Sequence, residues 1–316
     1  LACGVGWSYW ISWVAYIPAE CLAGGIIMEY FTGINGHVWA LCFGLLITYI
    51  NTAKVGTFGE VEFWLALIKI MSLFGFIALS ILIFFGIIHG SHPSEIIGGK
   101  YIFDQGGLFP NGKVVLLTAM VLLLVNYQGS EIIGLAAGES INPAQMIPTA
   151  IRNVTFRILF IYIIPVLCLV LIFPWQKATL LNSVFSDALN FYGLKWAGAI
   201  TSFVTLSATL SCSNSGVYGI VRSLNALARN GMAPRKLAKL NRNAVPQNAG
   251  IVTLVSIWTL LIIGYFFGQT TLYIALLLIS GFTGAIAWIS LCWAQINFRK
   301  KRYKAGYTTK DLRYAT

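Results

Sequence analysis

Acid is the scarcest chemistry in this chain: ten Asp and Glu among 316 residues, with only 10% of positions charged. Soluble domains carry roughly 25% charged residues. Ten carboxylates cannot help clothe a 34.7 kDa globule in which 58% of residues are hydrophobic and the mean hydropathy is +0.78, so a water-soluble fold is excluded. Clustered cysteine is missing as well. Cys3, Cys21, Cys42, Cys168, Cys212 and Cys292 all fall in apolar stretches without a Cys-x-x-Cys pair, which excludes a disulfide framework or a zinc site and leaves them as small packing residues. The apolar stretches are apolar all round rather than in period-two alternation, which favours helices over barrel strands. The chain has no initiating Met and no basic region before its first apolar run. That run therefore does not read as a signal peptide, and the chain is expected to be a fragment opening partway through a membrane segment.

What is present is a series of runs near the length a spanning helix needs, about 20 residues. Eight stretches qualify: Cys3–Phe31, His37–Ile50, Phe63–Ile88, Val114–Ala137, Val154–Phe173, Trp196–Ala228, Ile251–Gly268 and Leu272–Ile296. Interruptions are expected at Pro18, at Gly129 and Gly134, at Pro165, and at Gly216 and Gly219. The connections after even-numbered spans hold fourteen Lys and Arg residues, most of them in 229–242 and 299–313. Those after odd-numbered spans hold four: Lys100, Lys113, Lys177 and Lys195. This asymmetry predicts that the even-side loops are cytoplasmic. It also assigns the net charge of +11 to one membrane face, where anionic headgroups rather than nucleic acid are the partner.

Three ionisable residues lie well inside spans: Glu20, Lys69 and Glu131. Each costs about 2.5–3.5 kcal/mol at a helix centre, so each is a functional candidate. Lys69 reads either as a snorkelling side chain or as an ammonium that gains and loses a proton. Glu131 ends the run Asn126-Tyr127-Gln128-Gly129-Ser130-Glu131, which predicts a helix broken at mid-bilayer. Its carboxylate would meet a cationic solute or bond amides freed by the break. Glu20 follows Pro18 and could serve the kink or the function. Ser207, Ser211 and Ser215 recur every four residues with Asn214 beside them. That face reads as close helix packing or as the wall of a polar cavity. His89 and His92 belong to an interfacial loop. Trp7, Tyr9, Trp10, Trp13 and Tyr16 suggest an interfacial belt, although the last two lie too deep for that alone.

Four ordered blocks carry a resemblance. They are Tyr127-Gln128-Gly129-Ser130-Glu131 running on to Pro148; Gly59-Glu60-Val61-Glu62-Phe63-Trp64 through Lys69; Asn214-Ser215-Gly216-Val217-Tyr218 with Arg222; and Leu227-Ala228-Arg229-Asn230-Gly231-Met232-Ala233-Pro234. Together they resemble the permeases of the amino acid–polyamine–organocation superfamily, most of all the bacterial lysine- and arginine-type permeases. The resemblance implies an all-α membrane protein, eight transmembrane helices of a twelve-helix inverted-repeat fold like that of the leucine transporter. Residues 1–112 would be the last three helices of the first repeat, 113–298 the five-helix second repeat, and 299–316 a cytoplasmic basic loop. The first two and last two helices would be absent.

The resemblance further implies an amino-acid substrate touching Tyr127, Gly129, Ser130, Glu131, Ser207, Ser211, Tyr9 and Trp13. Proton coupling would fall to Lys69 and, more loosely, Glu20, with no cofactor and no metal. The expected activity is import of a cationic amino acid by proton symport and alternating access in the cytoplasmic membrane. An amino acid/amine exchanger and a non-transporting nutrient sensor remain as alternatives. A membrane-embedded enzyme is disfavoured because His37, His89 and His92 lack partners for catalysis.

Overall fold

The computed structural model describes residues 2–52, 58–88, 100–103, 107, 109–129, 131, 149, 153–154, 156–178, 183–241 and 245–308. Among these residues the protein is helical and contains no strand. The principal helices are α1 (Ala2–Thr32), α2 (Gly36–Thr52), α3 (Phe58–Phe84), α4 (Val115–Val125), α5 (Ile164–Ile172), α6 (Val184–Phe191), α7 (Lys195–Arg229), α8 (Gln247–Phe267) and α9 (Gln269–Lys304). Four have segments long and apolar enough to cross a membrane: Ala2–Thr32, Phe63–Phe84, Gln247–Phe267 and Gln269–Lys304. Gly36–Thr52 and Ile158–Ile172 are shorter apolar helices. In hydrocarbon every backbone N–H and C=O must be satisfied internally, and a helix does this without a partner strand.

Helix ends fall where the local chemistry puts them. Gly33 takes the left-handed conformation (φ +69°) and closes α1, its N–H bonding Glu29 O at 2.8 Å. Asn35 Oδ1 then caps α2 by accepting the His37 N–H at 2.9 Å, while Glu29 Oε2 accepts the Gly36 N–H at 2.9 Å. Pro165 cannot donate to the turn before it, and that turn (Ile158–Ile163) widens into a π-helix, with the Ile164 N–H reaching back to Leu159 O.

Two expected interruptions do not occur. α1 runs through Pro18, and α7 is continuous through Gly216 and Gly219. Gly216 is there for contact instead: a Cβ at that position would press into the Trp13 ring of α1, between its Cε3 and Cζ3 edge and Ile17. Between lipid-bathed helices such close approach, not hydrophobicity, provides the attraction.

α1 is the axis of the bundle. It packs against α2, α7, α8 and α9 in one core that includes Trp13, Ile17, Leu22, Ile220, Leu224, Ile257, Leu261 and Leu276. A second core joins α3 (Phe76, Ile83), α5 (Ile172), α6 (Leu189) and the start of α7 (Ala197). α7, 35 residues long, belongs to both. No disulfide joins any of the six cysteines.

The ends of the helices sort onto two sides. At the amino end of α1, the Trp7 indole N–H donates to Met232 O at 3.0 Å, fastening the loop after α7. At its far end, the Gln269 side-chain amide donates to Leu22 O at 3.3 Å, and His37 lies against Tyr265. Ser12 opposite Ser280 and Leu22 opposite Gln269 make α1 and α9 antiparallel. The basic residues 299–302 and 304 therefore lie on the same side as Arg229, Arg235, Lys236 and Lys239.

Gly216→Val is expected to destabilise the folded protein by about 1–3 kcal/mol through overpacking against Trp13. Gly250→Ala, where a Cβ would meet only Val221 at 3.9 Å, should leave stability equal or higher. Thermal melting in detergent separates the two; equal melting temperatures for both variants and wild type would contradict the assignment of Gly216 to packing.

Candidate functional site

α4 stops at Val125, in the middle of the apolar run. Asn126–Gly129 form a turn in which the Asn126 and Tyr127 N–H groups reach Leu123 O and Leu124 O at 3.1 and 3.2 Å. At Gly129 φ is +101°, a backbone that side-chain-bearing residues rarely adopt. The Gly129 N–H thus leaves the helical ladder, and the Glu131 carboxylate collects it on both oxygens, at 3.2 Å for Oε1 and 3.1 Å for Oε2. Of the two roles open to Glu131 from sequence, bonding a freed amide is the one the geometry contains.

A second donor arrives from α1. The Tyr9 hydroxyl donates to Glu131 Oε1 at 3.1 Å, across 122 positions of sequence. Trp13, one turn further along α1 and 1% exposed, lies with its ring within 3.9 Å of where a Gly129 Cβ would stand. Its indole N–H lies near the Tyr9 hydroxyl and, among the described residues, meets no acceptor with full hydrogen-bonding geometry. An unmet buried donor costs about 1–3 kcal/mol and is far more in a molecule's interest when something is meant to bind it.

Tyr9, Trp13, Tyr16 and Glu20 follow one another at intervals of four, three and four, which is one face of α1. Trp13 and Tyr16 pack edge to face with centroids 5.6 Å apart. The Tyr16 hydroxyl lies within reach of Glu20, and Tyr273 of α9 stands near the same carboxylate. Glu20 is half-buried at this end of the face. Tyr127 stacks on Tyr162 of the π-turn, with centroids 5.2 Å apart and planes 21° apart. Cys212 of α7 lies beside both Tyr162 and Tyr16.

Not every expected residue joins this cluster. Ser130 is outside the described residues, as are His89 and His92. Ser207 donates to Val204 O at 2.8 Å and faces away, lining an apolar groove of about 360 Å³ with Leu65 and Ile68 of α3 and Phe203 of its own helix. Ser211 is buried along α7. Asn214 Oδ1 accepts the Asn51 side-chain amide of α2 at 2.8 Å. The residues of α7 that approach Trp13 and Tyr16 are Gly216 and Cys212. Lys69 is half-buried on α3 between exposed Ile68 and Ile70. The aromatic start of α1 divides its work: Trp7 ties a loop, Trp10 donates to buried Thr253 at 3.1 Å, and Trp13 turns to the break.

One group was missed from sequence. Ser12 (1% exposed) and Ser280 (0%) meet the Gln128 side-chain amide between α1, α9 and the break. Both serines are polar residues buried in apolar runs, and tallying every such hydroxyl would have flagged them.

These features sit on a chain with clear relatives. A model of the amino acid permease family matches residues 1–316. The amino-acid permease RocC of Bacillus subtilis is 34% identical over 313 residues, covering 99% of this chain and 66% of its own length. The lysine-specific permease LysP of Escherichia coli is 36% identical over 319 residues, covering 98% of this chain and 64% of its own. The gamma-aminobutyric acid permease of Bacillus subtilis is 33% identical over 303 residues, 96% of this chain and 64% of its own. The chain thus spans 64–66% of the length of these curated relatives. These are permeases, not enzymes, and apolar helices of spanning length accompany the match. The chain is a membrane-spanning member of the amino acid permease family.

Proposed function

We propose that the complete protein carrying this chain imports an amino acid across the cell membrane as a multi-pass secondary transporter, by alternating access and proton symport. Support comes first from the helix break. α4 ends at Val125, Gly129 presents its amide at φ +101°, and beside it a buried indole N–H of Trp13 has no well-formed acceptor among the described residues. A solute with a carboxylate satisfies that N–H. One with an ammonium pairs with the Glu131 carboxylate, whose Oε2 accepts one hydrogen bond among the described residues, from Gly129. An amino acid carries both groups.

The substrate contacts are Tyr9, Trp13, Tyr127, Gly129, Ser130 and Glu131; Ser207, which lines the groove toward α3, and Ser211, buried along α7, stand outside this cluster. Lys69 and Glu20 carry the proton coupling, Glu20 being a half-buried carboxylate within reach of the Tyr16 hydroxyl. The names of the relatives RocC, LysP and the gamma-aminobutyric acid permease favour an amino-acid cargo, and LysP favours a cationic one. The eight spans belong to a twelve-helix inverted-repeat architecture, residues 1–112 closing the first repeat, 113–298 forming the second, and 299–316 a cytoplasmic loop. The grouping of residues 229–239 and 299–304 on one side supports a cytoplasmic location for that side.

Competition of radiolabelled lysine uptake by each of the twenty amino acids, in cells expressing the complete gene, tests the reading. Lysine and arginine should compete strongly and neutral amino acids weakly; uptake displaced equally well by neutral amino acids would refute the cationic preference. Trp13→Phe, which keeps the ring against Gly216 and deletes the N–H, should raise KM about fivefold, the scale of one lost hydrogen bond. An unchanged KM would remove the indole N–H from the substrate.

A further inference from the structure

Gln128, Ser12 and Ser280 are joined into a closed ring, in which the two serine hydroxyls also lie 3.3 Å apart. The Gln128 amide nitrogen donates to Ser12 Oγ at 2.6 Å and to Ser280 O at 3.2 Å. Ser12 Oγ donates to Ser280 O at 2.9 Å, and Ser280 Oγ donates back to Gln128 Oε1 at 3.2 Å. Every proton on the three side chains is spent, two from the amide and one from each hydroxyl. The backbone of α9 makes room for it: a Cβ on Gly284 would collide with the Gln128 amide and meet Ser12 Oγ at 3.0 Å.

The place of this ring is more telling than its strength. Ser12 immediately precedes Trp13 on α1, and Gln128 immediately precedes Gly129 in the break. The two halves of the candidate site, Tyr9 and Trp13 on one side and Gly129 and Glu131 on the other, are otherwise joined by the one Tyr9–Glu131 hydrogen bond described here. A broken helix has no ladder to set its register, and an irregular segment at this depth must satisfy its polar groups on neighbouring protein. Slipping the break by one residue would strand an amide and two hydroxyls in a buried, apolar setting, each at the full cost of an unmade hydrogen bond.

We propose that Gln128 is a positioning residue: through Ser12 and Ser280 it pegs the break to α1 and α9 and so fixes the distance between Gly129–Glu131 and Tyr9–Trp13. This rests on the reading that an amino acid binds at the break. The Gln128 side chain spends its hydrogen bonds on Ser12 and Ser280 rather than on the solute. Its removal loosens the gap that the solute must span, so affinity falls while the steps that follow binding do not.

The test is uptake kinetics of radiolabelled lysine by the complete protein in proteoliposomes. Gln128→Leu keeps the bulk and deletes the ring's centre. It should raise KM about tenfold, within the range of couplings measured for contacting groups, and leave the maximal rate within about twofold. Ser280→Ala should act in the same direction more weakly, and the double variant should be no worse than Gln128→Leu alone. Gln128→Glu should recover part of the affinity at low external pH, where a protonated carboxyl again has a hydrogen to donate to Ser12. Should Gln128→Leu fail to reach the membrane, Ser280→Ala and Ser12→Ala carry the same comparison. An unchanged KM in Gln128→Leu, or effects of Gln128→Leu and Ser280→Ala that simply multiply, overturns the peg. Trp13→Phe separates the two levels: if its KM is raised while that of Gln128→Leu is not, the peg alone fails. If neither variant moves KM, the binding site at the break fails with it.

Discussion

Glu131→Gln in the complete protein is expected to reduce uptake about a hundredfold or more. The carboxylate takes the Gly129 N–H on both oxygens and the Tyr9 hydroxyl on one. An amide in its place removes the charge and turns one of the two contacts of the Gly129 N–H into a donor facing a donor, so that N–H keeps a single acceptor, which it shares with Tyr9. Hydrogen bonds to a charged group are worth about 1.5–3 kcal/mol, and a tenfold change corresponds to about 1.4 kcal/mol. One lost bond with the accompanying shift of the break accounts for the size of the effect. Tyr9→Phe removes a single donor and should cost about tenfold by the same scale. Radiolabelled uptake normalised to protein in the membrane measures both, and wild-type kinetics for Glu131→Gln would take Glu131 out of the site.

The second large effect is expected at Lys69. A single charge moved with the cargo is worth about 2.3 kcal/mol per 100 mV, or roughly fiftyfold accumulation. If the half-buried ammonium on α3 carries the coupling, Lys69→Ala abolishes accumulation against a gradient. It also flattens the dependence of uptake on external pH, while exchange of labelled for unlabelled substrate persists. Uptake in the variant that still follows external pH as the wild type does would contradict the coupling role. Counterflow without a proton gradient in the wild-type protein, with an amine as the better internal partner, would instead favour an exchanger.

The end of the helix was legible in the sequence, because the six polar or conformationally loose residues from Asn126 to Glu131 are out of place in an apolar span. α4 ends within it, and Gly129 adopts the backbone its lack of a side chain permits. The resemblance put Tyr9 and Glu131 at one site, but their hydrogen bond was not foreseen: no spacing rule joins residues 122 positions apart. Helical periodicity placed Ser207, Ser211 and Ser215 on one face but could not say what that face meets. Ser207 meets α3 across an apolar groove, and Asn214 meets Asn51.

Proline and glycine misled where packing overrode propensity. α1 stays helical through Pro18, surrounded by neighbouring helices, and Gly216 is a seat for Trp13 rather than a hinge. Ser12 and Ser280 went unremarked because a lone serine in an apolar run is ordinary in membrane helices. Their meaning comes from Gln128, which reaches both.

Equilibrium binding of radiolabelled lysine to the purified complete protein probes most directly whether a solute occupies the gap between the break and α1. Wild-type protein should bind saturably, while Glu131→Gln and Trp13→Phe, folded by their melting curves, should bind more weakly. Lysine bound with the same Kd by all three proteins would place the cargo elsewhere and contradict the account.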